Sequence, residues 1–461
     1  NFQMNWPKLE DVPDIMAELA TVQMHSIQTS GNDIRNTSTD ELAGVCANEI
    51  EDPRPWCELI RQWSTFHPEF AYLPRKFKIA VIGNAEDRAA TKLHDIGLHL
   101  VKNHEGEVGF EVFVGGGLGR TPILGLQIRP FLEKKDLLSY LEAILRVYNR
   151  LGRRDNKYKA RIKITVREHG INHIRELVDA EWVSIREQLV LDDKEVARVK
   201  QYFTEPDYDV TAADDTRFSS MQSAHPAFAR WVKQNVVEHK IPGYKIAYIS
   251  LKAPQTPPGD ISAEQLDVIA DLADNFSLSE VRSTHTQNLV LSDVKQSDLY
   301  DLWLRLDAEK LATANIGTMS DMICCPGLDF CGLANATSLP LAKAINERFD
   351  DMDYLYDLGE IKINISGCMN GCAHQSVGHI GILGVDKKGE EWYQFTLGGS
   401  SKADASLGER LGRAIPKNEV VDTVAKLLDV YKELRYEDEL FLGTVRRVGI
   451  EPFKERVYAA N

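Results

Sequence analysis

No stretch of this chain reaches the roughly 18 consecutive apolar residues that a membrane span requires, and its first residues lack the basic-then-apolar layout of a secretory signal. Basic residues are in deficit: 54 Lys and Arg stand against 69 Asp and Glu, a net charge of −15. That balance argues against nucleic acid, which demands a basic footprint, but leaves room for a local anion pocket. Cysteine is sparse, with seven in 461 residues. That is too few for a disulfide framework, and free thiols suit a reducing compartment, so the expected location is cytoplasmic. Also missing are a P-loop, a flavin motif and a dinucleotide fingerprint; the run VGGGLGR at Gly115 to Gly119 has the wrong glycine spacing for the last.

Four of the seven cysteines are paired in sequence. Cys325 and Cys331 lie in ICCPGLDFCGLA, and Cys368 and Cys372 in NISGCMNGCAHQ. Four thiolates are what a [4Fe–4S] cube needs, one per iron, and soft sulfur selects iron–sulfur or zinc over hard cations. A structural zinc site favours two C-x2-4-C knuckles, which Cys368-x3-Cys372 satisfies and Cys325-x5-Cys331 does not. Flanking Gly, Pro and Asn residues (Pro326, Gly327, Gly367, Asn370, Gly371) supply the tight turns that wrap backbone around a cofactor. Cys46, Cys57 and Cys324 are read as ordinary core residues, with Cys325 preferred to its neighbour as ligand.

The chain is duplicated over a long period. Offset by 287, the first 19 residues match residues 288 to 306, with Val12, Ile15, Met16 and Leu19 falling on Leu299, Leu302, Trp303 and Leu306. Both sets have the i, i+3, i+4, i+7 spacing of one helix face. KIAVIGNAEDRAATKLHDIGLHLV from Lys78 pairs with KINISGCMNGCAHQSVGHIGILGV from Lys362, and FEVFVGGG with YQFTLGGS. The predicted molecule is α+β and pseudo-twofold, with a cleft between its copies. Before Asn288 the second copy has about 45 residues, GYKIAYISLK through VRSTHTQ, with no counterpart before Asn1. A helix within them opens on the capping box Ser262-x-x-Gln265 and carries Leu266, Ile269, Ala270 and Ala273 on one face. An N-terminally truncated first repeat is the expectation. Residues 130–225 have no partner in the duplication, and 205–228 is expected to be a surface linker.

Aligning IRNTSTDELAGV on ICCPGLDFCGLA sets Arg35 and Asn36 against Cys324 and Cys325. Strand alternation in LPRKFKIAV puts Lys76 and Lys78 on one face. Two such lysines repel unless an anion lies between them. Cations fixed in a low-dielectric cleft concentrate anions even on an acidic protein, and an Arg fork suits oxyanions while Lys supplies protons.

From TSGNDIRN through LPRKFK to the C-x5-C and C-x3-C pairs, the chain resembles the sirohaem-dependent nitrite and sulfite reductases. The resemblance implies a duplicated fold of ferredoxin-like halves plus two mixed α/β domains that hold sirohaem and cluster. The implied boundaries are a remnant of the first ferredoxin-like half at 1–28, a sirohaem-binding repeat with the anion residues at 29–224, a second ferredoxin-like half at 225–312, and the cluster repeat at 313–461. It implies Cys325, Cys331, Cys368 and Cys372 as ligands of a [4Fe–4S] cluster, Cys372 also bridging to sirohaem iron. Arg35, Lys76 and Lys78 look like three of the family's four substrate-binding groups, the remaining arginine belonging to a motif upstream of Asn1. Gln3, Asn36 and Gly115, Gly116 and Gly117 would lie at the macrocycle. The implied reaction is six-electron reduction of sulfite to sulfide, or of nitrite to ammonia, fed by a ferredoxin or a flavoprotein. Lys78, where nitrite reductases of this family tend to carry Asn, favours sulfite. A rival reading needs only the cysteines: an electron carrier or structural metal protein, with a cluster or zinc and no haem.

Overall fold

The computed structural model describes residues 4, 7–209 and 216–459. β1 (Ile34–Ser38), β2 (Phe77–Ile82), β3 (Ile96–Lys102), β4 (Val108–Val114) and β5 (Leu126–Glu133) form one sheet in that order. β1, β2 and β3 run parallel and the rest antiparallel. β2 is buried at every position except Lys78, as a central strand covered on both faces requires. The helices Leu137–Leu151 and Ile171–Ile185 share its core, Leu137, Leu141, Ile144 and Tyr148 forming one helical stripe.

β6 (Val236–Glu238), β7 (Tyr244–Ile249), β8 (Arg282–Ser283) and β9 (Leu289–Lys295) make an antiparallel sheet ordered β6-β7-β9-β8. Its helix Ala263–Phe276 begins with the reciprocal capping box of Ser262 and Gln265. The buried stripe differs from the sequence expectation: Ile269, Leu272 and Ala273 are inside, while Leu266 and Ala270 are exposed. Packing against the sheet rotated the stripe by a fraction of a turn.

The third sheet runs β10 (Ile323–Cys324), β11 (Ile363–Ser366), β12 (Ile380–Lys387), β13 (Glu390–Leu397) and β14 (Glu409–Arg410), with β15 (Ile415–Pro416) also on β13. It repeats the first. Ile79 pairs with Ile96 in parallel, and Ile363 with Ile380, the same offset of 284 on both strands. Ala90 and His374, one offset apart, both adopt the left-handed conformation before a short helix. The helices Val12–Thr21 and Leu299–Ala308 begin 287 residues apart, as the sequence duplication requires.

One alignment fails. Ser38 pairs with Ala80, and Ile323 with Asn364, so Ser38 rather than Ile34 is the counterpart of Ile323. A slip of four residues keeps every side chain on its face, so alternation cannot detect it; only the hydrogen-bonded register can. Arg35 and Asn36 are therefore not the counterparts of Cys324 and Cys325. The described part of 205–228, residues 205–209 and 216–228, is also more ordered than a linker. It contains the helix Thr216–Ala224, which buries no residue and so has a loop-like composition, yet Arg217 ties it to Asp301 at 2.8 Å.

Candidate active site

The two cysteine loops meet because β10 and β11 are parallel neighbours. The backbone N–H of Cys325 donates to the Ile365 carbonyl (3.0 Å), and the N–H groups of Asn335 and Ala336 donate to Gly367 (2.8 and 3.0 Å). The Cys325 sulfur accepts the Gly367 N–H at 3.0 Å, a bond that ties the two loops together. Gly327 has φ +61°, and a Cβ there would fall 2.6 Å from the Ser338 nitrogen, so the turn between Cys325 and Cys331 admits only glycine. Burial raises the Cys372 thiol's pKa, and the neighbouring sulfurs of Cys325, Cys368 and Cys331 raise it further. The four thiols thus share one neighbourhood. No three His, Cys, Asp or Glu among the described residues close on a single-ion site; a cube, which gives each iron its own thiolate, needs no such point. The donor set fits a four-iron cluster. Cys324 is buried at 1% exposure, with its thiol directed to the Cys325 carbonyl, as a core residue should be.

Within electrostatic reach of this quartet stands a wall of cations from the first copy. Burial depresses Lys76, and Arg161, Lys78, Arg35 and Arg75 depress it further. Burial likewise depresses Lys78, with Arg161 and Arg35 adding to the effect and Asp95 and Cys372 opposing it. Cys372 is thus within electrostatic reach of both lysines, one of which lowers its own pKa. Arg35 donates through Nε and Nη2 to the Gly31 carbonyl at 2.9 and 2.7 Å, which fixes its fork. Its pKa is lowered chiefly by burial, Asp33 opposing. Asn36 sits on β1 opposite Lys78.

Gly115, Gly116 and Gly117 close the end of β4. The Gly115 N–H donates to the Asp95 carbonyl at 2.9 Å, and Gly117 exchanges two 2.9 Å bonds with Ile123. A Cβ on Gly116 would fall 2.3 Å from the Lys92 carbonyl oxygen. This turn reaches the other copy: a Cβ on Gly371 would lie 3.5 Å from the Gly119 nitrogen. The glycine run and the cysteine loop are neighbours. Gln3 lies outside the described residues.

Sequence reasoning missed Asp95, Arg161 and Lys163. Asp95 is fully buried, and its carboxylate accepts two bonds from Arg161 (2.8 Å each) and one from the Lys78 backbone N–H (2.9 Å). Burial raises its pKa against the pull of Arg161. Lys163 donates to the carbonyls of Gly117, Leu118 and Thr121 at 3.2, 2.6 and 2.6 Å, and burial lowers its pKa to about 8. The signal available was ARIK, two cations two residues apart at a helix start, in a stretch whose function was unreadable from sequence.

Residues 30–185 and 317–460 match the family described as the nitrite and sulphite reductase 4Fe-4S domain, and residues 248–309 match the nitrite/sulfite reductase ferredoxin-like half domain. Sulfite reductase [ferredoxin] 1 of Mycolicibacterium paratuberculosis is 27% identical over 98% of this chain and 76% of its own length. The assimilatory ferredoxin-dependent nitrite reductase of Haloferax mediterranei is 26% identical over 99% and 75%. The solved structure of the Mycobacterium tuberculosis NirA protein superposes with a TM-score of 0.77 at 25% identity, covering 96% of this chain and 76% of that one. No helix among the described residues is long and apolar enough to cross a membrane.

Proposed function

The chain belongs to the nitrite and sulphite reductase family, and from that premise we propose that it reduces sulfite to sulfide with electrons from a ferredoxin, in a reducing compartment such as the cytoplasm. The family's cofactors are a [4Fe–4S] cluster and sirohaem; here Cys325, Cys331, Cys368 and Cys372 would hold the former, with Cys372 facing the latter. When bound, they supply an iron that takes the substrate anion and electrons delivered one at a time. The remaining work falls to the chain. Arg35 presents a fixed fork for oxyanion oxygens. Lys76 and Lys78 neutralise charge, and because both hold their protons more loosely than a free lysine, they donate them as oxygens leave as water. Asp95 and Lys163 position this wall, one under Arg161 and the Lys78 strand, the other under the glycine turn.

The observation that supports the reading is the single neighbourhood shared by Cys372 of one copy and Lys76 and Lys78 of the other. Lys78 is what favours sulfite, because a dianion gains more than nitrite from a second ammonium. Nitrite reduction with the same groups is the second reading, favoured by relatives that carry that name. The test is an absorption spectrum of the purified protein with turnover of each anion under one reductant. Sirohaem bands and faster sulfite turnover are expected. Faster nitrite turnover overturns the choice of anion, and a spectrum without tetrapyrrole overturns the assignment itself.

A further inference from the structure

The corrected register places four residues of the first copy where the second has its cysteines. Two offsets, 285 for the first loop and 284 for the second, follow from the strand pairing. The loops have the same backbone. The Cys331 N–H donates to Gly327 at 2.9 Å and the Cys46 N–H to Leu42 at 3.1 Å; Ala334 donates to Cys331 and Glu49 to Cys46; Asn335 donates to Gly367 at 2.8 Å and Ile50 to Gly83 at 2.7 Å. Every one of these pairs is related by the same offsets. Asp40 therefore stands at the place of Cys325, Cys46 at that of Cys331, Asn84 at that of Cys368 and Arg88 at that of Cys372.

These four side chains hold one another. Arg88 Nε donates to Asp40 Oδ2 at 2.6 Å, and Asn84 Nδ2 donates to the Cys46 sulfur at 3.3 Å. Each bond crosses between the two loops, as each pair of ligands would across a cluster. Asp40 is 6% exposed and Asn84 7%, so neither contact is a surface ion pair of negligible worth. The loop they secure is the one that docks onto the second sheet: Arg282 Nη1 donates to the carbonyls of Glu41 and Ala43 at 3.0 and 2.8 Å, and the Tyr248 hydroxyl donates to Glu41 at 3.0 Å.

We propose that Asp40, Cys46, Asn84 and Arg88 are a closed counterpart of the cluster cage, in which an ion pair and an amide-to-thiol hydrogen bond tie together the loops that a metal cluster ties in the other copy. The loop geometry of a cluster site is retained while three of its four ligands are gone, so the chain is limited to one cluster and the first copy keeps its wall for the anion. This rests on the reading that the second copy binds a cluster.

Restoring thiols tests it. The triple variant Asp40→Cys, Asn84→Cys, Arg88→Cys, with native Cys46, is reconstituted anaerobically with iron and sulfide beside the unsubstituted protein. Acid-labile sulfide per chain about twice that of the unsubstituted protein is expected; a folded variant with unchanged content overturns the cage geometry. A second measurement stands apart from metal uptake. Arg88→Met leaves the Asp40 carboxylate buried without its partner, and amide hydrogen exchange across residues 40–50 and 83–90 should accelerate about tenfold or more relative to the sheet cores. The double variant Asp40→Leu, Arg88→Met removes both charges and should recover most of that protection. Unchanged exchange in Arg88→Met overturns the tying role. An unsubstituted protein that takes up no iron overturns the functional reading instead, and leaves the exchange comparison to decide this one.

Discussion

A single ammonium separates the two candidate substrates. Lys78 is the one partly exposed position of an otherwise buried strand, and its backbone is pinned to Asp95. Lys78→Asn keeps the strand and removes the charge, so sulfite turnover should fall on the order of a hundredfold and nitrite turnover much less; steady-state kinetics with both anions reads the difference, and an equal loss refutes the preference for sulfite. The Arg161–Asp95 pair makes a sharper case for stability. Asp95 has no exposed side-chain surface, and Arg161→Met leaves that carboxylate without its main counter-charge. The cost should be about 3 kcal/mol in a denaturant titration, with much of it regained in Arg161→Met, Asp95→Asn. Without Arg161, the strongest cation acting on Lys76 and Lys78, both lysines should also hold their protons more tightly.

At the scale of elements, the loop from Asp40 to Asp52 carries an unusual acid. Both Glu49 oxygens accept the Gly44 N–H at 3.0 Å, yet burial raises its pKa to about 7 against an ordinary 4.5. The folded state therefore binds this proton more tightly than the unfolded chain. Its stabilising effect is complete below pH 4.5 and is lost as pH rises through about 7. Glu49→Gln should flatten the fall in urea midpoint across that window, and an unaltered pH profile would show that other groups set it. The cysteine loops were legible as loops because Gly and Pro punctuate them. The helix Thr216–Ala224 was not, since only Phe218 and Met221, both half-buried, face the core, too short a stripe for periodicity to register.

On the scale of the whole molecule, the second sheet braces the cluster loop of its own copy as well as the closed loop of the other. Gln287, held at φ +62°, uses its side-chain amide as a strand would: Nε2 donates to the Cys324 carbonyl and Oε1 accepts the Cys324 N–H, both at 2.8 Å. Gln287→Ala should release the residue next to a cluster ligand and lower bound iron after gel filtration, with circular dichroism unchanged. Full iron retention would show that the strand register alone holds the ligand. Close by, buried Lys252 pairs with Asp321, which also accepts from Asn288 and Gly317 at 2.9 Å.

By itself the sequence determined the duplication, the two cysteine pairs, the same-face lysines and the family they resemble, because these are local patterns: spacings, alternation and turn residues that survive without knowledge of neighbours. Only the tertiary structure decided which residue stands opposite which. The four-residue slip of the first loop, the Asp95–Arg161 pair 66 positions apart and the electrostatic reach between Cys372 and the lysines all depend on strand pairing and on burial. Those are set by hydrogen bonds and packing between segments remote in sequence, which no local spacing records.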